Sequence, residues 1–195
     1  MSKRIDTSKI ERIRDAAIEI ISEQGIPNCS VAAIAKRAGV SVGYLYRHYS
    51  GKEELINDML ELYFNIINEK ISSLIAEKHG VEEIVEGVIL HILQISRENE
   101  ARIKFLIMLL NDFSVTIRPA LTARVDALAE ELMIMIRNSP GIRSDLLPED
   151  LYHAMIGLPM QYLALRYNRI ISCKEPDCAD AGHIVGQAMR LIKAR

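Results

Sequence analysis

A short run of the chain gathers side chains that can donate hydrogen bonds to an anion. Tyr46, His48 and Lys52 lie close together, with Arg47 between the first two. A phenol hydroxyl and an imidazole N–H can each donate to a phosphate oxygen, and lysine and arginine add positive charge. The sequence has no nucleophile–base arrangement, no glycine-rich phosphate loop and no motif of paired acids, so catalysis has no support and no cofactor is expected.

Two short helices joined by a tight turn must position these donors. Ser30 and Ser41 are good N-caps, because a serine hydroxyl accepts a hydrogen bond from a backbone N–H one turn into a helix. Gly39 follows the first helix, as expected where the chain leaves a helix with positive φ. Leu45 and Tyr49 lie four residues apart on one inward face of the second helix. The apolar residues of the first helix also recur at helical spacing: Val31, Ile34, Ala35 and Ala38.

This pair of helices is predicted to be a helix-turn-helix, because a helix of this size fits the DNA major groove and its first turns reach base edges. The distribution of charge agrees. Residues 1–52 carry nine basic and five acidic residues, a net charge of +4, whereas the remainder has a net charge of −6. A basic N-terminal part on an acidic remainder suits a protein that presents one end to phosphates.

The residues of this region also resemble a known family. Ala-Gly-Val-Ser at 38–41, Gly43, Leu-Tyr-Arg-His at 45–48, the aromatic Tyr49 and Lys-Glu-Glu-Leu at 52–55 are similar to the DNA-binding signature of TetR-type bacterial transcriptional regulators. The resemblance covers about residues 8–60 and rests elsewhere on length and helical content. Tyr49 stands where phenylalanine is commoner, and Tyr44 where a small residue is common.

The resemblance implies roles for individual residues. Tyr46, His48 and Lys52 match positions that touch phosphates, and Val42, Gly43 and Tyr44 match positions that face base edges. Arg47 has two possible interpretations, a solvated surface charge or a phosphate contact. The predicted DNA-binding residues are Ser30, Val42, Gly43, Tyr44, Tyr46, Arg47, His48 and Lys52.

The periodicity along the rest of the chain predicts an all-α protein of about nine helices. We expect a DNA-binding domain over 1–52 and a regulatory and dimerisation domain over 53–195. Pro159 lies within a predicted helix over 148–169 and should kink it. The bend could simply follow the core, or the carbonyl freed near Met155 could border a pocket.

The second domain is expected to hold a small apolar or amphipathic ligand. His91 lies on an apolar face, where a core histidine is the ordinary interpretation and a ligand contact the alternative. The candidate pocket residues, which could equally be core, are His91, Phe105, Met108, Phe113, Met133, Met155 and Tyr162. Cys173, Cys178 and His183 have a spacing that favours reduced, unpaired thiols over a metal site.

One short helix reads few base pairs, so a homodimer on a palindromic DNA operator is expected. The resemblance implies a four-helix bundle of the last two helices. The predicted interface residues are Leu151, Met155, Leu158, Tyr162, Leu165, Ile184, Ala188 and Leu191. The resemblance also implies a repressor that an effector releases from its operator. The alternatives are a helix-turn-helix regulator controlled by a protein partner, and a helical adaptor or enzyme.

Targeting signals are not evident in the sequence. The N-terminus MSKRIDTSK has no apolar core, and the longest apolar runs, such as 105–110, are too short to span a bilayer. Three cysteines, an odd number, fit a reducing compartment. We therefore expect a cytoplasmic protein without membrane contact.

Overall fold

The described part of the chain is built from helices. A computed structural model describes residues 7–77, 79–137, 139–172 and 178–194, and these form nine helices. They are α1 (Thr7–Gln24), α2 (Val31–Ala38), α3 (Val42–Tyr46), α4 (Lys52–Ala76), α5 (Val81–Glu98), α6 (Glu100–Asn111), α7 (Pro119–Arg137), α8 (Pro148–Tyr152, a π turn at His153–Gly157, then Leu158–Tyr167) and α9 (Cys178–Ile192). The all-α fold is confirmed.

Helix boundaries follow from local signals. Pro119 and Pro148 occupy first-turn positions, where the missing N–H costs no hydrogen bond. α4 ends at Ala76, and α9 begins at Cys178. Among the described helices, none is long and apolar enough to cross a membrane.

The first of two compact units comprises the chain up to Leu62 together with Glu100–Ile117. α1 packs against both α2 and α6, and α2 packs against α3. The side chains that fill this core are almost fully enclosed: Ile13, Ile21, Ile34, Leu45, Leu55, Met59, Ile103 and Phe105. The unit thus includes α6, which the sequence analysis assigned to the second domain; the functional boundary at residue 52 stays a prediction.

The second unit comprises Tyr63–Asn99 and Arg118–Arg195. α5 packs against α9 and against the middle of α8, and α7 packs against the start of α8. Arg166 of α8 pairs with Asp180 of α9 at 2.9 Å, and Tyr162 donates a hydrogen bond to the same carboxylate. The core residues include Ile84, Ile89, Ile92, Leu151, Ala188 and Ile192.

α8 departs from regular helix just before Pro159. Over His153–Gly157 the backbone forms a π turn, in which the N–H of Leu158 bonds to the carbonyl of His153. A proline has no N–H to donate, and π turns, like prolines, interrupt the regular hydrogen-bond ladder of a helix. The irregularity that the sequence predicted at Pro159 therefore takes the form of one wide turn on its N-terminal side.

Candidate nucleic-acid interface

The turn between α2 and α3 is closed by the residues that the sequence singled out. Ser30 Oγ accepts from the Ala33 N–H at 3.2 Å, and Ser41 Oγ accepts from the Tyr44 N–H at 3.1 Å. Gly39 adopts the left-handed conformation, with φ of 64°, and its N–H bonds back to the end of α2. Both N-caps and the glycine turn are confirmed, and together they fix where α3 begins.

α3 has one buried side and one exposed side. Leu45 is fully enclosed and Tyr49, just beyond α3, is 6% exposed, whereas Val42 and Tyr46 are 41% and 54% exposed. A Cβ added at Gly43 would meet no atom within 4 Å, so the backbone there is open to a close approach. The exposed side therefore offers a small apolar side chain, bare backbone and a phenol, with Arg47 exposed at its end.

A carboxylate of α4 holds the end of α3 in place. The Tyr49 hydroxyl donates to Asp58 Oδ2 at 2.9 Å, and Arg14 of α1 binds the same oxygen at 2.8 Å. Burial, followed by the bond to Asp58, raises the pKa of Tyr49 to about 12. Tyr49 was predicted to face inward, but this network was not predicted. The signal for it in the sequence is a tyrosine on an apolar face, because a buried hydroxyl needs a hydrogen-bond partner.

Lys52 is engaged within its own unit. Its Nζ donates to the backbone carbonyl of Ile26 at 2.8 Å, which ties the first turn of α4 to the turn between α1 and α2. An ammonium has three N–H groups, so this bond leaves donors for a phosphate. In the same unit, Arg37 of α2 pairs with Glu19 and Glu23 of α1. These two glutamates are four residues apart and so lie on one face of α1, which is the signal in the sequence for a shared basic partner.

Tyr44 is surrounded by basic groups. Lys9 Nζ lies 5.4 Å and Arg47 Cζ 5.0 Å from its ring centroid, and the centroid of the His48 ring is 4.8 Å away. The Tyr44 hydroxyl is buried and has no hydrogen-bond partner within the described part of the chain. A hydrogen bond from this hydroxyl to a base edge would therefore require the side chain to turn outward. Lys9 was not a predicted site residue.

The seven predicted ligand residues are divided between the two units. Phe105, Met108 and Phe113 belong to the first, and His91, Met133, Met155 and Tyr162 to the second. Phe113 is fully exposed, in the segment that follows the end of α6. In the second unit, His91 Nε2 is buried and meets no hydrogen-bond partner among the described residues, and burial lowers the pKa of this imidazole.

The predicted dimer-interface residues fall into two groups, and the interface stays a prediction. Leu151, Met155, Ile184 and Ala188 are buried within the single chain, where α8, α9 and α5 pack together. Leu158, Tyr162, Leu165 and Leu191 retain partial exposure. An apolar stripe has the same sequence pattern whether it faces the core of its own chain or a partner. The sequence therefore could not separate the buried residues from the partly exposed ones.

Comparisons with known proteins agree with this geometry. Residues 13–59 match the tetR family of bacterial regulatory proteins. The HTH-type transcriptional regulator YvdT of Bacillus subtilis is 35% identical over 77 residues, which are 40% of this chain and 38% of that protein. The match thus spans about two fifths of this relative's length.

Solved structures cover nearly the whole chain. A TetR family transcription regulator from Marinobacter aquaeolei VT8 has a TM-score of 0.78 at 17% identity, covering 97% of this chain and 98% of that one. The fatty acid degradation regulator FadR from Bacillus halodurans has a TM-score of 0.74 at 21% identity, covering 92% and 94%. At these identities the likeness establishes the fold.

The fold and the site together define a helix-turn-helix protein with a helical C-terminal part. Over residues 13–59 the chain is thus similar to the tetR family of bacterial regulatory proteins. The proteins it matches are transcriptional regulators rather than enzymes.

Proposed function

We propose that this protein is a transcriptional regulator that binds double-stranded DNA through α3. The observation that carries the proposal is the exposed side of α3, where Val42, Gly43 and Tyr46 are presented by a helix whose other side is anchored by Leu45. Such a helix can enter the major groove with its first turn against base edges. The match of residues 13–59 to a family of bacterial regulators supports the same function.

The contacts divide by chemistry. Val42 suits a thymine methyl, and Gly43 permits the backbone to approach closely. Tyr46, Arg47, His48 and Lys52 carry donors suited to phosphates, which position the protein without reading sequence. The Ser30 hydroxyl accepts from Ala33 and keeps its own proton for a phosphate oxygen.

We further propose that the protein acts as a homodimer through the exposed sides of α8 and α9. On α9 these are Gly182, His183, Gly186 and Arg190, and on α8 the half-exposed Leu158 and Leu165. A Cβ added at Gly182 or Gly186 would meet nothing within 4 Å of its own chain, so a partner helix could approach closely. A two-fold dimer would present two copies of α3 to a palindromic operator.

A small-molecule effector that releases the repressor from DNA is the regulation we propose. Support comes from His91, whose buried Nε2 could donate to or accept from a ligand, and from the adaptable Met133 and Met155 in the same unit. FadR, a relative in fold, is named as a regulator of fatty acid degradation, which agrees with an apolar or amphipathic effector. An effector acts only through its different affinities for the two states of the dimer.

Selection of bound sites from random duplex DNA tests the DNA-binding function. We expect an enriched site with two-fold symmetry and half-sites one or more helical turns apart. Replacing Val42 by Ala should change the enriched sequence, whereas replacing Arg47 by Ala should weaken all sites alike. Absence of any enriched site from the folded protein would contradict the proposal.

A separate measurement tests the effector. Native mass spectrometry of freshly purified protein should report a dimer with a retained apolar molecule, and adding that molecule should raise the melting temperature and release the selected DNA. His91→Leu, which removes the imidazole, should weaken that response. A dimer that binds DNA but responds to no ligand would favour control by a protein partner.

A further inference from the structure

We propose that Tyr44 organises Lys9, Arg47 and His48 into one binding site for a DNA backbone phosphate. The inference rests on the proposed DNA-binding function and deepens it. It assigns Lys9, at the start of α1, as a phosphate contact, and Tyr44 as a positioning residue rather than a base reader.

The site is assembled from two helices that are adjacent in space. Lys9 comes from the first turns of α1, whereas Arg47 and His48 follow the last turn of α3. All three approach the same ring, at 5.4, 5.0 and 4.8 Å from its centroid. The negative face of an aromatic ring attracts cations, so one phenol can hold Lys9 and Arg47, which would otherwise repel each other, while the His48 ring packs against it.

Arg47 differs from two other arginines of the unit in its surroundings. Arg14 is paired with Asp58, and Arg37 with Glu19 and Glu23. Arg47 and His48 have no carboxylate partner in the described part of the chain. Arg47 thus brings to the ring a positive charge that no carboxylate of the described residues pairs, and Lys9 brings a second charge, so the potential beside Tyr44 favours an anion. Arginine, lysine and histidine donors arranged around one point suit a phosphate, which accepts on several oxygens.

The position of Tyr44 argues against direct reading of bases by its hydroxyl. The oxygen is buried, and the ring is only partly exposed. Side chains held against the ring lose less freedom when they bind than solvated ones, because their rotamers are already restricted. The residue therefore contributes to DNA affinity through the groups around it.

Salt dependence of DNA binding tests the assignment of Lys9. The full chain is titrated with a mixed-sequence duplex of roughly 30 base pairs, long enough for two half-sites, at several salt concentrations. Lys9→Ala should lower the slope of log affinity against log salt by about 0.9 for each chain bound, the value for one phosphate contact. Lys104→Ala is the matched control: it removes a lysine of the same unit whose ammonium pairs with Glu100, and its slope should equal that of the wild type.

A double-mutant cycle tests the role of Tyr44. Tyr44→Phe keeps the ring and should keep the Lys9 effect, whereas in Tyr44→Leu the further change Lys9→Ala should alter affinity far less than in the wild type. Thermal melts check that each variant is folded. Full additivity of Lys9→Ala and Tyr44→Leu would overturn the organising role. A Tyr44→Leu variant with a new preferred sequence and an unchanged salt slope would also overturn it, because Tyr44 would then read bases.

The outcomes separate this inference from the function on which it rests. If the wild type binds the duplex with strong salt dependence but Lys9→Ala and Lys104→Ala have the same slope, the cluster is refuted and DNA binding stands. If the folded wild type binds no duplex, both fail.

Discussion

The hydroxyl of Tyr49 and the guanidinium of Arg14 both donate to the carboxylate of Asp58, so α1, α4 and the end of α3 meet at one side chain. Tyr49→Phe keeps the ring and removes the bond; we expect it to lower the free energy of unfolding by about 1 kcal/mol. Urea unfolding measures the loss. Tyr46→Phe is the control, because this phenol is exposed and its removal should cost less than about 0.5 kcal/mol.

The same phenol predicts a dependence of stability on pH. Its pKa in the folded protein is about 12, above the ordinary value of 10.0, chiefly because of burial. The folded state thus favours the protonated phenol, and its stabilisation is complete below pH 10.0 and is lost as pH rises towards 12. Over that range the wild type should lose stability more steeply than Tyr49→Phe. Parallel curves for the two proteins would contradict the raised pKa.

Lys52 is expected to matter for folding as well as for DNA. Lys52→Met keeps the apolar stem but leaves the Ile26 carbonyl without its donor, and should lower the free energy of unfolding by about 1–2 kcal/mol. Lys36→Met, at an exposed position of α2, is the control. If both variants unfold at the same urea concentration as the wild type, the bond to Ile26 contributes nothing to stability.

At the scale of the element, two glycines flank the turn and should respond to alanine in opposite ways. Gly39 has a φ of 64°, where a Cβ is strained, so Gly39→Ala should lower stability by about 1 kcal/mol. Gly43 has open space and no positive φ, so Gly43→Ala should raise stability by about 0.5–1 kcal/mol.

DNA binding distinguishes the two alanine variants further. Gly43→Ala should weaken DNA binding despite its greater stability, because the new methyl group lies where the proposed DNA contact needs bare backbone. Measured unfolding and duplex titration of the same preparations check this. A Gly43→Ala protein with unchanged affinity would move base contact away from the first turn of α3.

Local signals explain how much of the fold was predictable. Serine caps, the glycine after α2 and the helical spacing of apolar residues are determined within a few positions, and the structure confirms them. The π turn before Pro159 and the Tyr49–Asp58–Arg14 network were not predictable, because each depends on how separate elements pack. The burial of Ile184 and Ala188 was not predictable for the same reason, because it depends on the packing of α5 against α9.

At the scale of the whole molecule, the proposed dimer gives a sharp test at Gly186. A Cβ added at Gly186 would meet no atom of its own chain within 4 Å, so the Gly186→Leu variant should fold normally. In the proposed dimer it would hold the partner helix away, and the dissociation constant of the dimer should rise at least tenfold, which is about 1.4 kcal/mol. Sedimentation velocity measures the change. Glu86→Leu, at an exposed position of α5, is the control for an added leucine.

A dimer of unchanged affinity in Gly186→Leu, with the control also unchanged, would place the interface elsewhere than on α9. Loss of the dimer together with loss of the native melting transition would mean that the variant failed to fold. Dimerisation would then be measured for Arg190→Glu, a change at another exposed position on the same side of α9.

Binding of specific DNA by α3 can be measured in a single titration. The full chain is titrated with its selected duplex and with a scrambled duplex of equal composition at several salt concentrations, with the stoichiometry measured. We predict two chains per selected duplex, affinity for it at least a thousandfold higher than for the scrambled one, of the order typical of specific binders, and a steep fall of both affinities with salt. Equal affinity for the two duplexes, or binding that salt leaves unchanged, would contradict the account.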